Sequence, residues 1–201
     1  MFAFDQIGNG NRVEEIRYFY ARYPQWSLLG KMVADAQAAL DALRNHPHVD
    51  PAQIYLAGYG TGALVALHAG ALDPRVAGVM AVAGVTPLRL DTSTSGTGGV
   101  ARWSHWLPLL PRLGTFRGAE SHIPYDVHDL LALLAPRPVL LITPGLDCQT
   151  NLDHLRLAVA EARRVFELLG APGNLKLQKT DDYNHFSPEL VWCLCGAETV
   201  P

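Results

Sequence analysis

The sequence predicts an α/β fold: a three-layer α/β/α arrangement on a mostly parallel sheet, in a single domain over 1–201, with a cap insertion at about 85–124. Three observations carry this. Short apolar segments such as 76–83 and 138–143 alternate with longer segments of helical period. The short segments are continuously apolar, the pattern of strands covered on both faces. Finally, 49% of the 201 residues are hydrophobic and 17% charged, which suits a globular chain with a substantial core.

Taken in order, Phe2–Asp5 reads as a short strand that ends in the turn Gly8-Asn9-Gly10. Over 27–43, Leu29, Val33, Ala36, Leu40 and Leu43 recur at steps of four and three, so a helix is expected there. The loop from Asn45 to Pro51 ends it. Residues 53–57 form the next strand, 61–72 a helix buried on most sides, and 76–83 a second apolar strand. The pattern then dissolves over 85–124, which holds "TSTSGTGG", several prolines, Trp103 and Trp106. A structureless loop of that length is uncommon, so a partly helical cap is expected. Regularity returns with a helix at 127–134 and a strand at 138–143. In the amphipathic helix 152–169, Leu152, Leu155, Val159, Ala162, Phe166 and Leu169 share one face, and Gly170 suits its C-cap. A last strand at 175–179 leads to a loop and a short helix from about 187.

The composition narrows the function classes. A formal net charge of −3 offers nothing to nucleic acid or an anionic membrane. No apolar run reaches bilayer-spanning length. Met1 to Asp5 shows no basic n-region and no cleavage site, so no signal peptide is expected. Cys148, Cys193 and Cys195 are an odd number, badly spaced for a disulfide framework or a structural metal, and a reducing cytoplasmic setting follows. No cofactor is expected.

The chemistry is expected in loops beyond the carboxyl ends of the strands. The first follows 53–57. There Gly58-Tyr59-Gly60-Thr61-Gly62 has the layout of a nucleophile elbow, G-x-S-x-G, with Gly60 at the serine position. The second, Pro144-Gly145-Leu146-Asp147-Cys148, supplies an acid. The third, Thr180 to Phe186, supplies His185. Elbow, acid, histidine is the chain order of an α/β-hydrolase triad. Singly, each has a plainer explanation: Asp147 as a helix cap, His185 as a solvated or hydrogen-bonded loop side chain.

The segments "FAFDQIGNGNR", "WSLLGKMVADAQAALDAL", "VDPAQIYLAGYGTGALVALHAGALDPRVAGVMAVAG", "LLAPRPVLLITPGLD" and "DDYNHFSPEL" resemble the bacterial acetyl xylan esterase and dienelactone hydrolase-like branch of the α/β-hydrolase superfamily. The resemblance implies Asp147 as triad acid, His185 as general base, and the Thr61 N–H as an oxyanion donor. It also implies an α/β-hydrolase-like sheet missing the first strands, including the one whose loop carries the second oxyanion donor. Either 2–5 pairs directly with 53–57, or another chain fills the gap.

Glycine at position 60 removes the attacking oxygen while relieving a strained backbone. Thr61 and Cys148 are the alternative nucleophiles, and a water activated by His185 is a third route. Tyr59, Trp103 and Trp106 are the pocket candidates, although tryptophans more often anchor packing. His46-Pro47-His48-Val49-Asp50 fits the start of a lactonase metal signature, H-x-H-x-D. Pro51 replaces its next histidine, and the segment precedes a strand, so a polar turn is the simpler explanation. His68 is expected in the core. His105, His122 and His128 lie in or beside the cap, and Arg163-Arg164 on a solvated helix face.

Three functions remain from this stage: a weak or degenerate ester or lactone hydrolase, an active hydrolase with another nucleophile, and a non-catalytic binding or assembly protein. The expected partner is a small-molecule ester or lactone, with a homo-oligomer through the sheet as the third option's consequence.

Overall fold

The computed structural model describes residues 1–92, 97 and 99–183. After an extended start, a kinked 3-10 helix (Gly10–Tyr18) leads into a single turn, α1 (Phe19–Arg22). Helix α2 (Leu28–Arg44) begins where Ser27 Oγ accepts the N–H of Gly30 at 3.0 Å, a cap that stabilises a helix by about 0.5–2 kcal/mol. Strand β1 (Tyr55–Tyr59), helix α3 (Thr61–Leu72) and strand β2 (Gly78–Val82) follow. The cap contains a short turn, α4 (Gly99–Ala101), then a π-helical turn (Arg102–Trp106) and 3-10 turns at Pro111–Phe116 and Glu120–His122. The chain returns through α5 (Val127–Leu134), β3 (Val139–Pro144), α6 (Leu152–Leu168) and β4 (Leu175–Thr180).

The four strands are parallel and stand in sequence order, β1-β2-β3-β4. Each crossover therefore steps one strand in the same direction. Right-handed connections then place α3, α5 and α6 on one face. The core agrees: Val79, Ala81, Val139, Leu141 and Leu175 pack with Leu67, Leu131, Leu134, Leu155 and Phe166 from those helices. On the opposite face Met80, Val82 and Ile142 cluster with Leu140. A second core joins α2 and α3 to the cap through Leu29, Met32, Val65, Trp103, Leu109 and Ile123. Among the described residues, no helix is long and apolar enough to cross a membrane.

Within the described residues most elements fall where they are expected, but the helical stretch from Gly10 to Arg22 is not among the expected elements and one expected strand is absent. Phe2–Asp5 is not a strand: its residues are exposed and the rings of Phe2 and Phe4 contact each other at 5.9 Å. Strand geometry needs a neighbour's ladder. Instead Asp5 turns back to accept the N–H of Asn11 at 2.9 Å. Pairing of 2–5 with 53–57 is thereby excluded. Strand β1 extends through Gly58 and Tyr59, two residues beyond the predicted end, because its register with β2 runs on to Tyr59↔Val82. The helix expected from about 187 lies outside the described residues.

Candidate active site

The elbow is present in backbone form. Gly60 sits between β1 and α3 with φ 57° and ψ −116°, a conformation that costs a residue with a side chain about 1–3 kcal/mol. Its N–H donates to the carbonyl of Val82 at 2.9 Å, and its carbonyl accepts the N–H of Ala63 at 3.1 Å. Among the described residues, its chain neighbours aside, no atom lies within 4 Å of where a Cβ on Gly60 would stand. The turn therefore leaves the position where a nucleophile is attached clear of the described core. Thr61 is the first residue of α3, so its N–H has no acceptor within the helix and faces the elbow end.

Asp147 lies at the carboxyl end of the neighbouring β3, buried at 7% exposure. Its Oδ1 accepts the N–H of Gln149 at 2.9 Å and its Oδ2 the hydroxyl of Thr150 at 3.2 Å. The helix-cap alternative goes elsewhere: Asn151 caps α6 through Asp153 and His154. The acid loop is tied to the loop after β4, where Gly145 donates to Thr180 at 2.7 Å and Leu146 to Asp182 at 3.0 Å. Burial pushes the Tyr59 phenol up, and the charge of Asp147 adds to it, so carboxylate and elbow share one electrostatic neighbourhood. Cys148 is exposed with a free thiol. His185 lies outside the described residues.

Sequence reasoning missed the residue that joins these parts, Gln149. Its carbonyl accepts the hydroxyl of Thr86, from the loop after β2, at 3.2 Å. Its side-chain oxygen accepts the guanidinium of Arg102, from the cap, at 2.6 Å. Burial pulls the Arg102 guanidinium down, while Asp147 and Asp91 hold it up. Arg102 also lies over the Trp103 ring at 4.6 Å. No motif marks this link, although Arg102 neighbours the tryptophans already singled out.

Trp103 is not at a pocket mouth. At 3% exposure it is a core residue, lining a partly open cavity of about 30 Å³ with Leu64, His68, Thr86 and Tyr125. Trp106 belongs to the same π-helical turn, and its side chain lies outside those described. His68 is buried as expected: Nδ1–H donates to Leu64 at 2.7 Å, and Nε2 accepts from the Tyr125 hydroxyl at 3.0 Å. Desolvation holds its pKa below the usual range, with the Leu64 bond opposing. Ser104 and His105 form a pair at 2.7 Å, but the serine proton goes to the Val100 carbonyl, so the histidine is the donor and not a base.

The H-x-H-x-D segment forms no ligand set. His46 and His48 are exposed, Asp50 Oδ1 accepts the N–H of Ala52 at 2.9 Å, and among the described residues no three His, Cys, Asp or Glu side chains gather to hold a metal. It also precedes β1, at the end of the sheet away from the elbow.

Comparison with known proteins bears on family and fold. The family model described as glucuronyl esterase, fungi, matches residues 1–170. A 4-O-methyl-glucuronoyl methylesterase of Schizophyllum commune is 28% identical over 204 residues, covering 83% of this chain and 46% of that protein. A carbohydrate esterase of an unknown prokaryotic organism is 27% identical over 162 residues, covering 74% of this chain and 35% of its own length. Among solved structures, a carbohydrate esterase family 15 glucuronoyl esterase from Caldicellulosiruptor kristjansonii is 26% identical, with a TM-score of 0.72 over 88% of this chain and 52% of that one. A glucuronoyl esterase from Solibacter usitatus, 20% identical with a TM-score of 0.73, covers 86% of this chain and 48% of its own, and shows the same fold. The chain thus spans less than half the length of these two curated relatives.

Proposed function

Because the chain belongs to the glucuronyl esterase family of α/β-hydrolases, we propose that it is a carbohydrate-ester-directed domain that binds a carboxylic ester at the Gly60 elbow and turns it over slowly or not at all. The observation that carries this reading is the elbow itself, kept in backbone geometry with no side chain at its tip. In this reading the ester carbonyl lies against the Thr61 N–H, Tyr59 lines the approach, and Asp147 orients His185. His185 activates a water in place of a serine hydroxyl. Triads stripped of one member retain about 10³–10⁴-fold catalysis over water, and a single oxyanion donor lowers that further. The same site accepts lactones, which present the same carbonyl, and needs no cofactor.

The test is hydrolysis of p-nitrophenyl acetate and of a uronic acid methyl ester by the parent protein and by His185→Ala. Turnover that vanishes with His185 supports the reading. Equal turnover in both overturns it.

A second reading is favoured by one observation. Among the described residues β1 ends the strand order and exposes Tyr55, Ala57 and Tyr59, so a further strand from a second copy can pair there. Absent turnover together with a dimer in sedimentation would support this binding or assembly role.

A further inference from the structure

We propose that Tyr23 and Trp26 form a stacking platform for a uronate-bearing polysaccharide chain, beside the cap and distinct from the elbow. It takes only the class of sugar from the function proposed above. The rings are half-exposed, at 49% for Tyr23 and 51% for Trp26, and their centroids lie 6.0 Å apart at an angle of 43°. Both project from one turn between α1 and α2, closed by the bond from Trp26 N–H to the Tyr23 carbonyl at 3.1 Å.

This turn is braced from beneath. Buried Phe19 contacts the Tyr23 ring at 5.6 Å, and Tyr20 meets Phe19 edge-on at 5.1 Å. The Tyr20 hydroxyl accepts the N–H of Leu28 at 3.1 Å and donates to the carbonyl of Pro108 in the cap. The Tyr23 ring, held this way, loses little further freedom when it binds a ligand.

Size and charge select the occupant. A fully buried aromatic side chain covers about 150–250 Å², so two half-exposed rings offer far less than the roughly 800 Å² that each partner gives to a stable protein interface. A thin chain of pyranose rings fits instead. The C–H faces of a pyranose are apolar and meet the negative faces of aromatic rings favourably. Arg22 at the end of α1 adjoins Tyr23, and Arg112 donates to Gln25 beside Trp26 at 3.4 Å; Arg17, over the Tyr18 ring at 5.3 Å, lies one helix earlier in the chain. Among the described residues none of the three makes an ion pair, whereas Glu15 and Asp35 are already taken by Arg12 and Lys31. Guanidinium forks suit sugar carboxylates. Arg112 and Pro108 belong to the cap, so a chain lying on the platform runs alongside it.

The experiment is native electrophoresis of the full chain through gels containing glucuronoxylan, neutral arabinoxylan or no polysaccharide. The parent is expected to be retarded most by glucuronoxylan. Tyr23→Ala/Trp26→Ala should bind about tenfold more weakly. Arg22→Gln/Arg112→Gln should lower retardation to the neutral-xylan level, as should salt of about 0.5 M. Where the double aromatic variant melts early, the single Trp26→Leu variant carries the same prediction. Equal migration of the parent in all gels overturns the proposal, as does undiminished retardation of a folded platform variant. Dimerisation of the parent that the variant loses, without retardation, also overturns it and assigns the face to a second copy. Ester turnover is read separately on p-nitrophenyl acetate, which no platform variant should change. Failure of the ester reading is thereby distinguishable from failure of the platform.

Discussion

A Cβ on Gly84 would stand 2.7 Å from the carbonyl oxygen of Gly60 and 2.8 Å from its Cα, so the loop after β2 lies directly against the elbow. Gly84 has φ 67°, and Ala83 before it has φ 56°. The two strand ends brace each other through backbone contact, which the Gly60–Val82 hydrogen bond completes.

Gly84→Ala is therefore expected to be costly. The positive φ contributes about 1–2 kcal/mol and the overpacking against Gly60 a further 1–3 kcal/mol. Urea unfolding should show a loss of about 2–5 kcal/mol with an unchanged m-value. A loss below about 0.5 kcal/mol, within the range of a neutral surface change, would mean that the elbow yields freely.

Gly60→Ser should behave in the opposite way. No described residue obstructs the added side chain, so the backbone conformation is what opposes it, at about 1–3 kcal/mol. The variant should fold and gain an attacking oxygen beside the Thr61 N–H. Turnover of p-nitrophenyl acetate is expected to rise at least about 100-fold over the parent, with an acyl-enzyme burst. A well-folded variant with no burst would show that Asp147 and His185 do not act on this elbow.

Much of this fold is legible in the sequence because its signals are local. Thr61–Leu72 and Val127–Leu134 match their expected bounds, since glycine precedes one and Asp126 caps the other. Phe2–Asp5 misleads because four apolar-rich residues look strand-like alone, while a strand exists only with a neighbour. The acid loop is legible as a position after β3, but not its hub: Arg102 and Gln149 are 47 residues apart and meet only once the cap folds over β3. The π-helical turn that presents Arg102 has no sequence signal of its own. Trp103 is the packing anchor that tryptophans more often are, but its partners are not legible, because its burial depends on α2 and α3 arriving from elsewhere in the chain.

Asp126 is expected to be a larger stability determinant than its place in a cap suggests. Buried in a capping box with Asp129, it accepts the N–H groups of Val127 at 2.7 Å, Leu88 at 2.7 Å and Arg89 at 2.9 Å. It thus starts α5 and fastens the entrance of the cap together. Asp126→Ala orphans these donors and should cost about 3–4 kcal/mol, against about 1 kcal/mol for Asp129→Ala. Hydrogen exchange should show the Leu88 and Arg89 amides accelerating in the first variant and not in the second.

The His68–Tyr125 pair should make stability fall on the acid side. Desolvation holds the folded pKa of His68 below its ordinary value of about 6.5. Above that pH the imidazole is neutral in both states and contributes no slope. Below it the unfolded chain takes up a proton that the folded chain refuses, so stability declines by up to about 1.4 kcal/mol per pH unit until the folded pKa is reached. The charge is poorly accommodated, because Nδ1–H already donates to Leu64, Nε2 faces only the neutral Tyr125 hydroxyl, and apolar side chains supply most of the adjoining cavity wall. His68→Gln removes this titration, and the seven remaining histidines are common to both proteins, so their contribution cancels in the difference. Urea unfolding at pH 7, 6 and 5 should show the parent losing ground relative to the variant as the pH falls. Parallel curves would mean that His68 takes up its proton as readily folded as unfolded, and that the elbow helix opens around it.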